Sequence, residues 1–453
     1  MADLLELRGE NRIWKLKRQR ILGKGSFGCA TLYEQADETA QGGGDRFVVV
    51  KDVDMQTMKK DEEMKALDME VSILRRSMGH PNIVQFLDRY HDGKFMVYII
   101  MEFCNGGDLG QRIEQLQYRH KKEEESFVAS LMIQMLVGLN FLHVDQRTLH
   151  RDIKPQNIFI FEDGTVRIGD FGVSVVLDQL GGVAKMACGS PLYMAPELCE
   201  ERAYDGKADI WSLGVTLYEL MMLKRPFNST SAPTLMRMIS RGEYQLITPE
   251  DGYSSPLIDL VHSFLQKSAV TRPTLRRALR SSYVQNNLST VPLSCLESKY
   301  YKQIFGEEIV QKAISAKKRS MGASTSGSGG DGCSSGSTNN NYNNNNNNNN
   351  NNTNAKTSVA TSELDSWLEQ SKGVTDALAE QKMSPQRPKS ALARRPLLQP
   401  SSVSTRSEKT PSIPPICENS ERPQSRMSFH KPSGRVSGGD EYEDDFESSG
   451  SSN

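Results

Sequence analysis

The sequence predicts an α+β fold in two lobes: a β-rich small lobe with one main helix, to about residue 103, and a mainly helical large lobe from about 104 to 285. Three observations lead there. A glycine-rich turn and two β-branched runs crowd the first fifty residues, at Ala30-Thr-Leu-Tyr33 and Phe47-Val-Val-Val-Lys51. Helical periodicity comes next from about Met55 to Met78, with Leu67, Val71 and Leu74 on one face, and again from Ser126 to His143 and from Asp209 to Met222. After about residue 320 the composition changes abruptly to Gly/Ser-rich sequence (322 to 338) and then to asparagine from Asn339 to Asn352, broken only by Tyr342. Such sequence buries too little apolar surface to offset the entropy of ordering, so 321–453 is expected to be a disordered tail. Residues 1–17 precede the domain, and 286–320 read as a helical extension without a sustained heptad pattern.

The glycine-rich turn comprises Gly23, Lys24, Gly25, Ser26, Phe27 and Gly28, behind the apolar pair Ile21-Leu22. Glycines there let backbone amides approach phosphate closely. By itself the pattern suits a dinucleotide site or a flexible turn equally well. The chain then continues as two strands joined by a polar, Gly-rich loop (34 to 46) rather than as a helix, which excludes the dinucleotide reading. Lys51, at the end of the second strand, is either a solvated edge charge or, beside the glycine loop, a ligand of the α and β phosphates. A lysine near a nucleotide needs a counter-ion, and the helix after it offers several acids, Glu62, Glu63, Asp68 and Glu70, among which spacing alone does not choose.

The run His150-Arg-Asp-Ile-Lys-Pro-Gln-Asn157, succeeded past a short strand by Asp170-Phe-Gly172, is the most informative in the chain. Phosphoryl transfer needs a carboxylate to accept a hydroxyl proton and ligands for the metal that neutralises the phosphates. Asp152 would orient the acceptor hydroxyl and take its proton, Asn157 and Asp170 would bind magnesium, and Lys154 would steady the transferring phosphate. Each short phrase alone is a weak coincidence; their order and separation are not.

On these residues, 18 to about 285 resembles a eukaryotic protein kinase domain and, more narrowly, the NIMA-related serine/threonine kinases. The narrower likeness rests on Met101-Glu-Phe-Cys-Asn-Gly-Gly-Asp-Leu109, on Ala184-Lys185 leading into Gly189-Ser-Pro-Leu-Tyr-Met-Ala-Pro-Glu197, and on Leu223-Lys-Arg-Pro-Phe227. The phrase Glu70-Val-Ser-Ile-Leu with His80-Pro-Asn-Ile-Val after it resembles the regulatory helix of kinases and so selects Glu70 as the partner of Lys51. The resemblance implies ATP and Mg2+ as cofactors, Met101 as gatekeeper, main-chain contacts to adenine from Glu102 to Cys104, and Asp108 at the front of the ribose pocket. It implies an ion pair of Glu197 with Arg272, a hold by Asp209 on the backbone near His150, and a hydrophobic column of Leu74, Phe86, His150 and Phe171. Lys154 and Ser190 resemble the serine/threonine class, and the NIMA-related resemblance implies protein substrates with a preference for an apolar residue a few positions before the acceptor.

Three departures from the commonest kinase pattern stand out. The residue roofing the adenine is Ala30, and the one two before the lysine is Val49, an exchange that conserves total volume. In the segment between Asp170 and Gly189, Met186 occupies the position where the family usually carries a phosphorylated Thr or Ser. A phosphate would bring about −1.5 to −2 charges to order the segment; methionine cannot. Arg151, which would receive it, is expected to lack its partner. The implied enzyme works without that phosphate, or is switched by a partner or its tail, with Ser174 and Ser190 the only hydroxyls close by.

The tail carries further signals. Leu364, Trp367, Leu368, Val374 and Leu378 fall on one helical face within 362–381, and Ser362 with Asp365 resembles a capping box; this helix is expected either to form on binding a protein or the kinase domain, or to be transient and without a partner. Net charge is −1, yet 382 to 435 holds 11 Lys or Arg against 3 Asp or Glu, and 440 to 447 holds 6 acids. The basic stretch reads as solvated, with contact to acidic proteins, microtubules of the cytoskeleton or nucleic acid as the sharper alternatives, and among partners cytoskeletal association is carried forward while no nucleic acid is expected. Seven scattered cysteines without a Cys-x-x-Cys pair argue against structural zinc and disulfides and for a reducing cytosol, with Cys29 and Cys104 expected near the nucleotide. The longest uninterrupted apolar run, Phe95 to Met101, is too short to span a bilayer, so no membrane is expected. Cell-cycle, centrosome or basal-body, cilium or flagellum, and nuclear locations derive from the resemblance alone. From a different class, a pseudokinase scaffold recruiting partners through its tail is the alternative; the presence of Lys51, Glu70, Asp152, Asn157 and Asp170 argues against it.

Overall fold

The computed structural model describes residues 4–24, 28–36, 46–58, 61–177, 182–184 and 189–323. The glycine-loop residues 25–27, the segment around Met186 and the expected tail with its helix at 362–381 lie outside the described residues.

The small lobe is an antiparallel sheet of β1 (Leu4–Arg8), β2 (Ile13–Lys24), β3 (Gly28–Gln35), β4 (Phe47–Asp54), β5 (Phe86–His91) and β6 (Met96–Glu102), in the order β1-β2-β3-β4-β6-β5. One helix, α1 (Asp61–Arg76), lies between β4 and β5. The helix expected from Met55 is shorter than its periodicity suggests. Asp54 accepts from the Gln56 amide and closes a separate 3-10 turn over Met55–Thr57, so the chain turns before α1 begins.

Strand alternation gives the sheet two apolar faces. One presents Val53, Val97 and Ile99 to Leu67, Val71 and Leu74 of α1. The other carries a separate core of Leu7, Trp14, Leu16, Val48, Val50 and Ile100. Residues before 18 therefore complete the sheet rather than merely precede it. Their hairpin is fastened by Asp88 in β5, which is fully buried and accepts from the Glu10 amide (2.8 Å), the Asn11 amide (3.3 Å) and the Trp14 indole (2.9 Å).

The large lobe is built from α2 (Leu109–Tyr118), α3 (Glu125–Asn140), β7 (Thr148–Leu149), β8 (Ile158–Ile160), β9 (Val166–Ile168), β10 (Val175–Val176), α4 (Pro196–Cys199), α5 (Lys207–Met222), α6 (Ala232–Arg241), α7 (Ser255–Phe264), α8 (Leu275–Leu279) and α9 (Ser282–Asn286). Beyond these come α10 (Leu293–Leu296), α11 (Lys299–Phe305) and α12 (Glu307–Ala323). Helix α3 and the π turn after it (Phe141–Asp145) make a 21-residue segment whose most apolar 18 residues have mean hydropathy 1.8, long and apolar enough to cross a bilayer by composition. Counting only unbroken apolar runs misses it, because Ser130, Gln134 and Asn140 interrupt it. Of those 18 residues 78% are buried, as a helix apolar all round must be in the core of a lobe.

Replacing Asp88 with Ala would strand the buried Trp14 indole N–H and leave two part-buried hairpin amides without their acceptor. Stability is expected to drop by on the order of 2–3 kcal/mol, with Asn a milder replacement; an unchanged melting temperature would show that the hairpin is not latched there.

Candidate active site

The inner face of the sheet carries the first group of site residues. Ala30 pairs with Lys51 and Val49 with Met101 in register, so these four share one face. Gly23 pairs with Ala30 and Lys24 with Cys29 across the hairpin, just past a register shift between Ile21 and Gly23. Gly28 is obligatory for close approach: a Cβ would sit 1.6 Å from the Asp52 carbonyl oxygen. Cys29 pairs with Asp52, one residue out of step with Ala30 and Lys51. Alternation therefore turns the Cys29 side chain to the opposite face from Lys51, contrary to the expected place beside the nucleotide.

Lys51 Nζ lies 2.6 Å from Glu70 Oε1 and 3.8 Å from Asp170 Oδ1. Helix α1 places Glu70 beside its apolar stripe of Leu67, Val71 and Leu74, and the carboxylate is buried with them. Burial alone would lower the Lys51 pKa; the carboxylates of Glu70 and Asp170 outweigh it and hold the ammonium above its ordinary range. Among the acids near this helix, Glu70 is the one that meets the lysine, whereas Asp68 faces Arg89 at 3.3 Å.

The segment between the lobes offers main chain to the cleft. The Glu102 carboxylate is turned away, accepting from the Gln85 amide (2.8 Å) and Arg167 Nε (2.8 Å). Cys104 is buried, its carbonyl accepting from the Gly107 amide. Asp108 caps α2, with Oδ1 accepting from the Gln111 amide at 2.9 Å, and burial raises its pKa.

Opposite stands the loop 150–157. Asp152 Oδ1 accepts from the Ser190 amide (2.8 Å), while Oδ2 faces Lys154 Nζ (2.7 Å) and the Asn157 carboxamide nitrogen (3.0 Å). Burial would raise the Asp152 pKa; Lys154 and Ser190 outweigh it and hold the carboxyl below the usual carboxylate range. Lys154 Nζ also donates to Ser190 Oγ at 2.9 Å. Gly189 (φ +95°) makes this contact geometry accessible, since a Cβ would lie 2.1 Å from the Arg151 carbonyl oxygen.

Two residues of the site hold left-handed backbone, Arg151 (φ 68°) and Asp170 (φ 62°), a conformation that costs a non-glycine residue about 1–3 kcal/mol. Neighbours impose it. Asp209, from the first turn of α5, is buried, accepts the His150 and Arg151 amides (both 2.9 Å), and lies 2.8 Å from His143 Nε2. Burial would raise its pKa, yet the hydrogen bond to His143 and the nearby histidines leave it lowered. Ahead of Asp170, the Gly169 amide donates to the Asn157 carbonyl, and the Gly169 carbonyl lies 3.1 Å from His150 Nε2.

Arg151 is not without a partner. Its Nε donates to the Val173 carbonyl at 2.5 Å and Nη1 lies 3.4 Å from the Tyr204 hydroxyl. The sequence hides both, because Tyr204 arrives only by the bridge that pairs it with Ala184. Ser174 Oγ donates to the His150 carbonyl, so neither nearby hydroxyl is idle. Arg272 clasps Glu197 through two 2.7 Å bonds, both side chains fully buried. Leu74, Phe86 and Phe171 belong to one buried cluster, and the His150 ring stands 5.1 Å from that of Phe171.

The oxygen set of Asp170 and the Asn157 carboxamide, whose nitrogen is committed to Asp152, suits a hard cation such as Mg2+. A cleft with a raised lysine on one wall, a lowered aspartate on the other and oxygen donors between fits a triphosphate and an acceptor hydroxyl.

A family model for the protein kinase domain matches residues 16–284. The chain belongs to the protein kinase family. Within it, the similarity is to NIMA-related serine/threonine kinases. The chain is 33% identical over 301 residues to serine/threonine-protein kinase Nek1 of Mus musculus, covering 66% of this chain and 23% of that protein. It is 36% identical over 268 residues to Nek5 of Homo sapiens, covering 59% and 36%, and 33% identical over 302 residues to Nek3 of Mus musculus, covering 67% and 55%. The chain thus spans less than two thirds of the length of these relatives.

With the Lys154 charge removed as Met, the Asp152 carboxyl is expected to titrate at higher pH, as burial prevails once its chief opposing charge has gone. Carboxyl carbon shifts of labelled aspartate would report it, and an unmoved titration would mean Lys154 does not set that acidity.

Proposed function

We propose that this kinase-family chain transfers the γ-phosphoryl group of ATP to serine or threonine hydroxyls of proteins. The observation that carries the proposal is the convergence on Asp152 of Lys154, Ser190 and Asn157, facing a Lys51–Glu70 pair that contacts Asp170. In the transfer, the acceptor oxygen bonds to the γ phosphorus as the bond to the β–γ bridging oxygen breaks. The hydroxyl proton passes to Asp152, and ADP leaves with the bridging oxygen.

The chain's residues have distinct parts in this. Asp152, kept ionised by Lys154 and Ser190, orients the hydroxyl and is a weak base, which suits a loose transition state whose proton moves late. Lys154 offers positive charge where the transferring group becomes exposed to the acceptor. Lys51, positioned by Glu70, binds the α and β phosphates, while the glycine-rich turn 23–28 would supply backbone amides to them. Ala30, Val49 and Met101 wall the purine, the main chain of Glu102 to Cys104 hydrogen-bonds it, and Asp108 fronts the ribose. Asn157 and Asp170 would hold Mg2+, which neutralises phosphate charge when bound.

Kinship with the NIMA-related branch supports cell-cycle, centrosome, basal-body or ciliary work in the cytoplasm; imaging the tagged chain through division would test that reading. The activity itself is tested with the full chain, labelled ATP-Mg2+ and a generic serine/threonine protein. Asp152→Asn and Asp170→Ala are each expected to cost about 10²- to 10⁴-fold in turnover. Absence of transfer by the wild-type chain, with nucleotide binding intact, would favour the scaffold instead.

A further inference from the structure

The family match ends at residue 284, yet the described chain continues through α10, α11 and α12 to 323. These helices meet one particular loop. Residues 77–85 connect α1, which carries Glu70, to β5. The Tyr301 hydroxyl, on a fully buried side chain of α11, donates to Asn82 Oδ1 at 3.0 Å. Asn82 is itself fully buried, and its carboxamide nitrogen lies 3.0 Å from Gln134 Oε1 and from the Val166 carbonyl, and 3.8 Å from Cys295 Sγ of α10. Two residues earlier, the His80 ring meets both Phe141 (4.4 Å) and Tyr300 (4.3 Å), which also meet each other at 5.5 Å. Its pKa is lowered to about 3 by burial, so it packs there as a neutral ring.

The same loop is stitched to β9. The Ile168 amide donates to the Asn82 carbonyl (2.9 Å) and the Val84 amide to the Ile168 carbonyl (3.0 Å). Asp170 stands two residues after Ile168. One buried asparagine thus joins the helix bearing Glu70, the strand leading to Asp170, and the helices beyond the family match.

We propose that residues 293–323 are a positioning clamp on the nucleotide site, with Tyr300 and Tyr301 fixing the 77–85 loop so that Glu70 stays against Lys51 and β9 holds Asp170 in place. The clamp rests on the kinase function proposed for the chain. Tyr301 acts through Asn82 and is a positioning residue. The functional catalytic unit then runs to α12. The physical basis is that a helix held at one end by a buried hydrogen-bonded node loses the freedom to swing its carboxylate away from Lys51.

The test compares the full chain with Tyr301→Phe, which removes one hydroxyl and no ring, and with Gln303→Ala, an exposed change in the same helix. For Tyr301→Phe, the KM for ATP is expected to rise about five-fold, with the protein-substrate KM unchanged. Amide hydrogen exchange should quicken in 77–85 and α1 but not in α5. Gln303→Ala should match the wild type. A fall in kcat that tracks lost folded protein at an unchanged KM for ATP, or unaltered exchange in α1, would overturn the clamp. Should the wild-type chain transfer no phosphate, the kinase reading fails separately, and exchange in 77–85 and α1 alone decides the clamp.

Discussion

The bridge between Lys51 and Glu70 is the contact on which the site depends. Here a charged contact joins the apolar packing of the sheet's inner face against its helix, and the ammonium nitrogen of β4 is held 2.6 Å from a carboxylate oxygen of α1. Removing two charges from water is costly, and attraction repays it only with good geometry and further partners. Asp170 supplies the further partner at 3.8 Å. A carboxylate of the large lobe is thereby tied to a lysine of the small lobe.

The large lobe meets that requirement with rigidity. Arg151 and Asp170 sit in left-handed backbone, and each is held by groups distant in sequence: Asp209 for the first, Asn157 and His150 for the stretch before the second. The Glu197–Arg272 pair braces the segment that returns Ser190 to Asp152. Arg151 takes partners from Val173 and Tyr204, so the guanidinium expected to receive a phosphate is partly engaged by protein. That agrees with the expectation from the family resemblance that Met186 stands where a phosphorylated residue is usual.

Much of this is legible in the sequence because phosphate chemistry restricts residue type and order: Lys51, Asp152, Asn157 and Asp170 stand in a linear arrangement that few other tasks require. Glu70 is not legible from spacing, since Asp68 and Glu63 share its helix; only the neighbouring phrase selects it. The contacts that stay hidden have high sequence separation. Asp88 reaches back 74 residues to Trp14, and Tyr301 reaches back 219 to Asn82. Residues 1–17 read as an extension because their alternation is short, though Leu7, Trp14 and Leu16 cover a face of the sheet. Cys29 is the opposite case: it directly precedes Ala30, so the period-two alternation of β3 suffices to turn it away from the cleft, and nearness in sequence to the glycine turn misleads.

The most direct measurement is a double-mutant cycle on ATP-dependent phosphate transfer with Lys51→Ala, Glu70→Ala and both together. If Glu70 acts by positioning Lys51, its replacement alone costs at least about ten-fold, while in the Lys51→Ala background it costs less than about two-fold. Losses that simply multiply would contradict the account, because Glu70 would then serve the reaction by some route other than the lysine it touches.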